Sequence, residues 1–286
     1  MPKLSIVDRF AHLAPAYDVV LSDVWGVVHN GVAAYSEAGE ALARFREGGG
    51  IVVLVSNSPR PGQPVTHQLD RIGVIRSAYD AIVTSGDVTR GVLEERPGAN
   101  IFHIGPQRDL SIFDGLNIRF TPMEVADCVV CSGLFDDEVE TADDYRELLD
   151  QVHARNLLMV CANPDVVVER GDRLVYCAGA IADLYAHMGG EVIYTGKPYR
   201  PLYDLALREC AALRGAAIEL SRVLAIGDSV RTDVKGAAAL GIDCLFVTAG
   251  IHAEEVGRDQ PDMAALETMF AAAGAVPKAV TPRLVW

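Results

Sequence analysis

The sequence predicts an α/β fold: a doubly wound, Rossmann-like parallel sheet with a second α/β unit inserted into it. Three observations carry that expectation. Short runs rich in Val, Ile and Leu alternate with amphipathic helical segments along almost the whole chain, the signature of a mainly parallel sheet covered on both faces. Nine such runs are many for one small sheet. No linker rich in Pro, Gly or Ser divides the chain, so one domain inserted into another accommodates the surplus.

Taken in order, "MPKLSIVDRFAHLAPAYD" is charged and patterned as an amphipathic helix with Ile6, Phe10 and Leu13 on one side, and it shows no signal-peptide h-region. "DVVLSD" then delivers Asp23 to a strand end. In "SEAGEALARFREGG" the spacing of Ala38, Ala41/Leu42 and Phe45 marks a helix face, and "IVVLVSN" and "DAIVTSG" are the next strands. "NIFHIG", "DCVVCSG" and "LLMVCAN" fall in the expected insert, with a helix in "TADDYRELLDQVHARN" that presents Tyr145, Leu148/Leu149 and Val152. "EVIYTG", "RVLAIGD" and "CLFVTAG" return the chain to the first unit. The expected division is a core of residues 1–97 and 191–286 and an insert of residues 98–190.

The 286 residues are 50% hydrophobic and carry a formal charge of −14, which disfavours nucleic acid and anionic membranes as partners because both require a basic surface. A site for an anionic substrate must therefore supply its own positive charge. No apolar run is long enough to span a bilayer, and a cytoplasmic location is expected. The six cysteines lack the spacings of a small secreted scaffold and are expected to be reduced. Cys128 and Cys131 form a C-x-x-C inside a strand-like run with no second pair, so both are expected in the core. The acidic run "DDEVETADD" (136–144) reads as a solvated loop and a helix start, with Thr141 as N-cap and Asp144 at N3.

In doubly wound sheets, ligands bind beyond the carboxyl ends of the strands. The polar residues there are Asp23, Ser56 with Asn57, Thr84 with Ser85, Asn163 with Asp165, Lys197, and Asp228. In "VLAIGDSVRTDVKG", Asp233 follows Asp228 by five residues. Carboxylates so close repel unless a cation lies among them, and an oxygen-only set completed by Asp23 suits Mg²⁺; taken alone, Asp233 also reads as a helix N-cap. Lys197 precedes Pro198, placed as the first residue of a helix, where a lysine opposes the dipole unless an anion such as a phosphoryl group is present. Ser56 offers a neutral donor suited to phosphate oxygens.

A strand-end Asp, a strand-end Ser, a Lys and a Gly-Asp-x-x-x-x-Asp in this order resemble the haloacid dehalogenase (HAD) superfamily over nearly the whole chain. "HNG", "SNSP", "ANPD", "AGAIADLY", "TGKPYRPLYD" and "GDSVRTDVKGAAALG" resemble landmarks of its NagD-like subgroup (subclass IIA), whose members carry a large α/β cap and dephosphorylate sugar phosphates, nucleotides and pyridoxal phosphate. The resemblance implies that Asp23 is a nucleophile forming an aspartyl-phosphate. Mg²⁺ would lie among Asp23, the Trp25 backbone carbonyl and Asp228, with Asp233 further out. Ser56, Asn57 and Lys197 would hold the phosphoryl oxygens, and Asn163 and Asp165 would belong to the loop that selects the organic part. It also allows a homodimer through the cap.

The chain departs from the family at Trp25. A phosphatase of this type reads Asp-x-Asp-Gly, its second Asp protonating the leaving alkoxide, and here the motif is Asp23-Val24-Trp25-Gly26. General acid–base help is worth about 10²–10⁴-fold, and an indole supplies none of it. Three readings follow. The first is a Mg²⁺-dependent phosphatase of small phosphorylated metabolites, the proton coming from water, His29 or the substrate. The second is a weakly active phospho-ligand-binding sensor or partner protein. The third is a dehalogenase-like hydrolase, which the extra acids Asp228 and Asp233 disfavour.

Overall fold

A computed structural model describes residues 4–170 and 173–286. Its strands are β1 (Val19–Ser22), β2 (Ile51–Ser56), β3 (Ala81–Thr84), β4 (Ala99–Ile104), β5 (Ile118–Phe120), β6 (Cys128–Cys131), β7 (Leu158–Cys161), β8 (Val167–Arg170), β9 (Arg173–Tyr176), β10 (Val192–Tyr194), β11 (Val223–Gly227), β12 (Asp243–Val247) and β13 (Ala279–Thr281). Six form one sheet in the order β13-β12-β11-β1-β2-β3, and five form a second in the order β10-β7-β6-β4-β5. Every pairing in both sheets is parallel. β8 and β9 make a separate antiparallel pair.

All nine expected runs are strands of these two sheets, and the unbroken apolarity of the inner strands has a direct cause. Alternate residues of β1 enter opposite cores: Val20 packs with Phe10, Leu42 and Leu54 on one face, while Val19 and Leu21 pack with Leu202, Cys210 and Phe246 on the other. Neither face meets water, so neither position tolerates a polar residue. The same parity separates Cys128 from Cys131, which enter different cores of the second sheet. Two thiols on opposite faces of one strand cannot pair or share a metal. All six cysteines are free and buried.

Four expectations are corrected. The N-terminal stretch forms two short 3-10 turns, Phe10–His12 and Ala14–Ala16, in place of an amphipathic helix; Ile6 is exposed and bridges to Val280, and residues 1–3 lie outside the described residues. β10 pairs with β7, so the second sheet runs through Tyr194 and past the expected division at 190/191. Pro198 does not begin a helix: the next helix is Arg200–Arg214, and the proline in its first turn is Pro201. The acidic run is only partly solvated, because Asp137 is held by Arg108 and Arg170 with its side chain 8% exposed. The Thr141/Asp144 capping box at the end of that run forms as read. Among the described residues, no helix is long and apolar enough to cross a membrane.

Each sheet reverses its strand order once. In the six-stranded sheet the chain moves outward through β1, β2 and β3 and later through β11, β12 and β13 on the other side, so the reversal lies between β1 and β11. In the second sheet it lies between β4 and β6. Such points leave a crevice at the carboxyl ends of the strands, where ligands bind.

Candidate active site

One cleft is lined from both sheets. It brings together Asp23, Ser56, Asn57 and Asp228 from the first and Lys197, Asn163 and Asp165 from the second, along with Trp25. Thr84 and Ser85 are elsewhere. Thr84 caps the helix Ser85–Glu94 through a capping box with Asp87, and Ser85 Oγ lies 2.8 Å from Thr195 Oγ1, so this strand end is used for tertiary connection.

At the first reversal point, Asp23 follows β1 and Asp228 follows β11. The Asp23 N–H donates to Ile226 O at 2.7 Å, continuing the β1–β11 pairing to the end of the strand. Asp23, Asp228 and Asp233 each offer a carboxylate oxygen within 4.8 Å of the others, and all three are buried. Asp233 is no N-cap: Ser229 caps the turn Val230–Val234, and Asp233 accepts from the Ser229 N–H at 3.1 Å. Lys197, 3% exposed, donates to Asp23 Oδ1 at 2.5 Å and to Asp233 Oδ1 at 2.7 Å. One lysine faces three carboxylates.

That imbalance appears in the protonation of the groups. Burial pushes the Asp23 carboxyl up to about 7; Lys197 pulls against this, while Asp233 and Asp165 add to it. Burial also raises Asp228 well above the usual carboxylate range, reinforced by Asp23 and Asp233. Burial pulls Lys197 down, but Asp23 and Asp233 outweigh it and hold the ammonium charged. A divalent cation fits this set, which is all oxygen and short of positive charge. Gly26, at φ +81°, lets the main chain after Trp25 approach Asp228: a Cβ there would lie 2.0 Å from Asp228 Oδ2. Replacing Asp228 with Ala is therefore expected to weaken divalent-cation binding, read by calorimetry with Mg²⁺ as the probe, far more than replacing Asp144, which serves only its exposed capping box. Equal effects would remove Asp228 from the metal set.

Asn57 is a clamp. Its Oδ1 accepts from the Lys197 N–H at 2.7 Å, and its Nδ2 donates to Asp165 Oδ1 at 2.9 Å and to Lys197 O at 3.3 Å. The side chain thus fixes the Lys197 main chain, and Asp165 in turn orients Asn57. Asn163 Oδ1 accepts from the Asp165 N–H at 3.1 Å, completing the turn. Lys197 owes its position to this clamp and not to a helix N-terminus. Ser56 Oγ accepts from the Ser58 N–H at 3.1 Å, which leaves its hydroxyl proton to donate.

Trp25 is half-buried, two residues beyond Asp23. Its indole lies over Gly31, where a Cβ would stand 2.4 Å from Cζ2, and its ring meets the His29 ring edge-on with centroids 5.0 Å apart. His29 is no substitute acid. Burial pushes its imidazole down to about 4, and Nδ1 accepts from the Gly31 N–H at 2.8 Å, so the ring is neutral near pH 7.

The strand-end reading overlooked other cleft residues: Arg108, Asp109, Ser132 and Asp137 beyond strands of the second sheet, Arg170 on β8, and Arg60. The signal was present for three of them, Arg108, Asp109 and Ser132. "GPQRD" and "SG" follow the runs "NIFHIG" and "DCVVC" just as the chosen residues follow theirs.

Comparison with known proteins bears on this geometry. A family model described as haloacid dehalogenase-like hydrolase matches residues 20–119, and a second, HAD-hydrolase-like, matches residues 194–269. A crystal structure of a hydrolase of the haloacid dehalogenase-like family from Brucella suis 1330 is 47% identical, covers 98% of this chain and 100% of its own, and superposes with a TM-score of 0.88. The 5'-nucleotidase YutF of Bacillus subtilis (strain 168) is 22% identical over 243 residues, 84% of this chain and 90% of that protein. The acid sugar phosphatase of Staphylococcus saprophyticus is 23% identical over the same length, 84% of this chain and 89% of that protein.

Proposed function

The chain belongs to the haloacid dehalogenase-like hydrolases, and from that premise we propose that it is a Mg²⁺-dependent phosphatase of small phosphorylated metabolites, such as sugar phosphates or nucleotides. The observation that carries the reading is the grouping of Asp23, Lys197, Asp228 and Asp233 at the reversal point of the first sheet. The names of the two curated relatives support a small phosphorylated substrate. In this reading the six-stranded sheet is the catalytic core and the second sheet, with the β8–β9 pair, is the cap. The division is drawn at residues 98–190 from the sequence and extended to Tyr194 to keep β10 with its sheet.

An Asp23 carboxylate oxygen attacks phosphorus, the bond to the organic oxygen breaks, and an aspartyl-phosphate forms. Water then attacks phosphorus, releasing inorganic phosphate and restoring Asp23. Lys197 balances charge on the phosphoryl oxygens and favours the ionised form of Asp23, while the Ser56 hydroxyl donates to one of those oxygens. Asp23, the Trp25 carbonyl and Asp228, with Asp233 behind them, would hold Mg²⁺, which would supply charge neutralisation for the transferring group. With an indole at position 25 and a neutral imidazole at position 29, no side chain of this motif protonates the leaving oxygen, so water or a leaving group that needs little protonation takes that part. The same feature favours a second reading, a phospho-ligand-binding protein of weak turnover.

A broad screen of phosphate esters with and without Mg²⁺, run beside Asp23→Asn, separates the readings. Hydrolysis that requires both Mg²⁺ and Asp23 is expected. Tight binding of phosphate esters with turnover no faster than in Asp23→Asn would establish the second reading in place of the first.

A further inference from the structure

The second sheet has its own reversal point, between β4 and β6, and it opens on the cleft that holds Asp23. Two buried polar residues line the cleft there. Asp109, 3% exposed, lies in the 3-10 turn Gln107–Phe113 that follows β4, and Ser132, 2% exposed, directly follows β6. Ser132 Oγ lies 2.9 Å from Nε2 of His103, whose ring packs edge-on against Phe113 with centroids 5.1 Å apart. The proposed phosphatase chemistry uses none of these groups.

Their surroundings narrow what they bind. The neighbouring cations have other hydrogen-bond partners: Arg108 bonds to Asp137, and Arg60 Nη2 donates to Gln68 Oε1 at 2.5 Å. Burial lifts the Asp109 carboxyl to about 6 although Arg108, the Ser132 hydroxyl and Arg60 all pull it down. An anionic substrate tail here would meet the Asp109 carboxylate, and the guanidinium groups of Arg108 and Arg170 are already paired with Asp137. An apolar tail would strip water from Asp109 and offer it no donor, which is costly for a buried charged group. Hydroxyl groups, which donate and accept at once, match a carboxylate beside a serine.

We propose that Asp109 and Ser132 form a hydroxyl-recognition subsite at the second sheet's reversal point and select polyhydroxylated phosphates over apolar ones. The assignment rests on the phosphatase reading, because it takes the phosphoryl group to lie at Asp23 and the organic part to reach the second sheet. A site built to hydrogen-bond a substrate hydroxyl discriminates strongly against an analogue that lacks it.

Ribose 5-phosphate and n-pentyl phosphate have the same number of carbons, and each is tested as an inhibitor of p-nitrophenyl phosphate hydrolysis in Mg²⁺. The ratio of their inhibition constants is taken within each preparation, so a partial loss of folded protein cancels. Wild type is expected to favour the sugar phosphate by about 10- to 100-fold, the worth of one or two hydrogen bonds to a charged group. Asp109→Leu is expected to bring the ratio close to one, and Ser132→Ala, the smaller change, to reduce it. A wild-type ratio near one, or an undiminished ratio in Asp109→Leu, overturns the subsite. Should Asp109→Leu not fold, Ser132→Ala decides by the same criterion. If wild type does not hydrolyse p-nitrophenyl phosphate at all, the phosphatase reading fails instead, and the same ratio is read from dissociation constants by calorimetry.

Discussion

Trp25→Asp is expected to raise the turnover of alkyl phosphates by up to about 10²–10⁴-fold, the contribution of a positioned general acid. The reason lies in what the substitution leaves intact. The carbonyl of residue 25 belongs to the main chain, and Gly26 still permits the close approach to Asp228. What changes is the side chain at position 25, from an indole whose N–H is not a usable general acid to a carboxyl that is. Wild type should accordingly show a steep dependence on leaving-group pKa, fast with aryl or acyl phosphates and slow with alkyl ones. Removing a large aromatic costs up to about 3–5 kcal/mol when it is fully buried, and the half-buried Trp25 should fall below that range. Trp25→Ala makes the same packing loss without supplying an acid. Alkyl-phosphate turnover in Trp25→Asp that does not exceed both wild type and Trp25→Ala would end this account. So would a flat leaving-group dependence in wild type.

Lys197→Met is expected to abolish hydrolysis and to destabilise the metal-free protein by about 3–5 kcal/mol at pH 8, since it removes the cation from a buried ion pair and leaves the acids uncompensated. The loss should shrink as the pH falls. Asp23 has a folded pKa of about 7 against an ordinary value of 3.8, so between those values the folded state holds more protons than the unfolded state. Its contribution to stability is therefore fully present below the unfolded value and declines as pH rises through the folded value. Lys197 is what pulls Asp23 down, so its removal lifts that carboxyl further, and the deficit of the variant is greatest where the acids are ionised. Denaturant unfolding in EDTA at pH 8 and pH 5.5 measures the difference. A deficit that is the same at both values would mean Lys197 contributes by packing and not by charge.

The sequence by itself determined the parts of this protein that repeat or that stand at fixed places relative to a repeat. The nine runs, seven of them inner strands, were legible because a parallel strand covered on both faces admits mostly apolar residues, as Val19, Val20 and Leu21 illustrate. Asp23 and Asp228 were legible because strand ends are where such a sheet puts its polar groups, and Lys197 joined them through the order of the motifs. β5, β8, β9 and β13 were missed. Each has three or four residues, and "IRF", "VVER" and "RLVY" carry charges because an edge strand or a two-stranded ribbon keeps contact with water. A period of two cannot be read from so few positions.

Tertiary structure decided everything that depends on residues distant in the chain. Asn57 and Asp165 were both singled out, yet only folding shows that Asp165 orients Asn57 and that Asn57 fixes Lys197, across sequence separations of 108 and 140 residues. Likewise, burial and a main-chain N–H take His29 out of the acid chemistry its position suggested. The meeting of Asp109 and Ser132 with Asp23 required two sheets to turn their reversal points toward one cleft. Local pattern reports which face of an element is buried, because burial acts on each residue separately. Hydrogen-bond partners and protonation depend on the neighbours brought alongside by packing, and those are properties of the assembled fold.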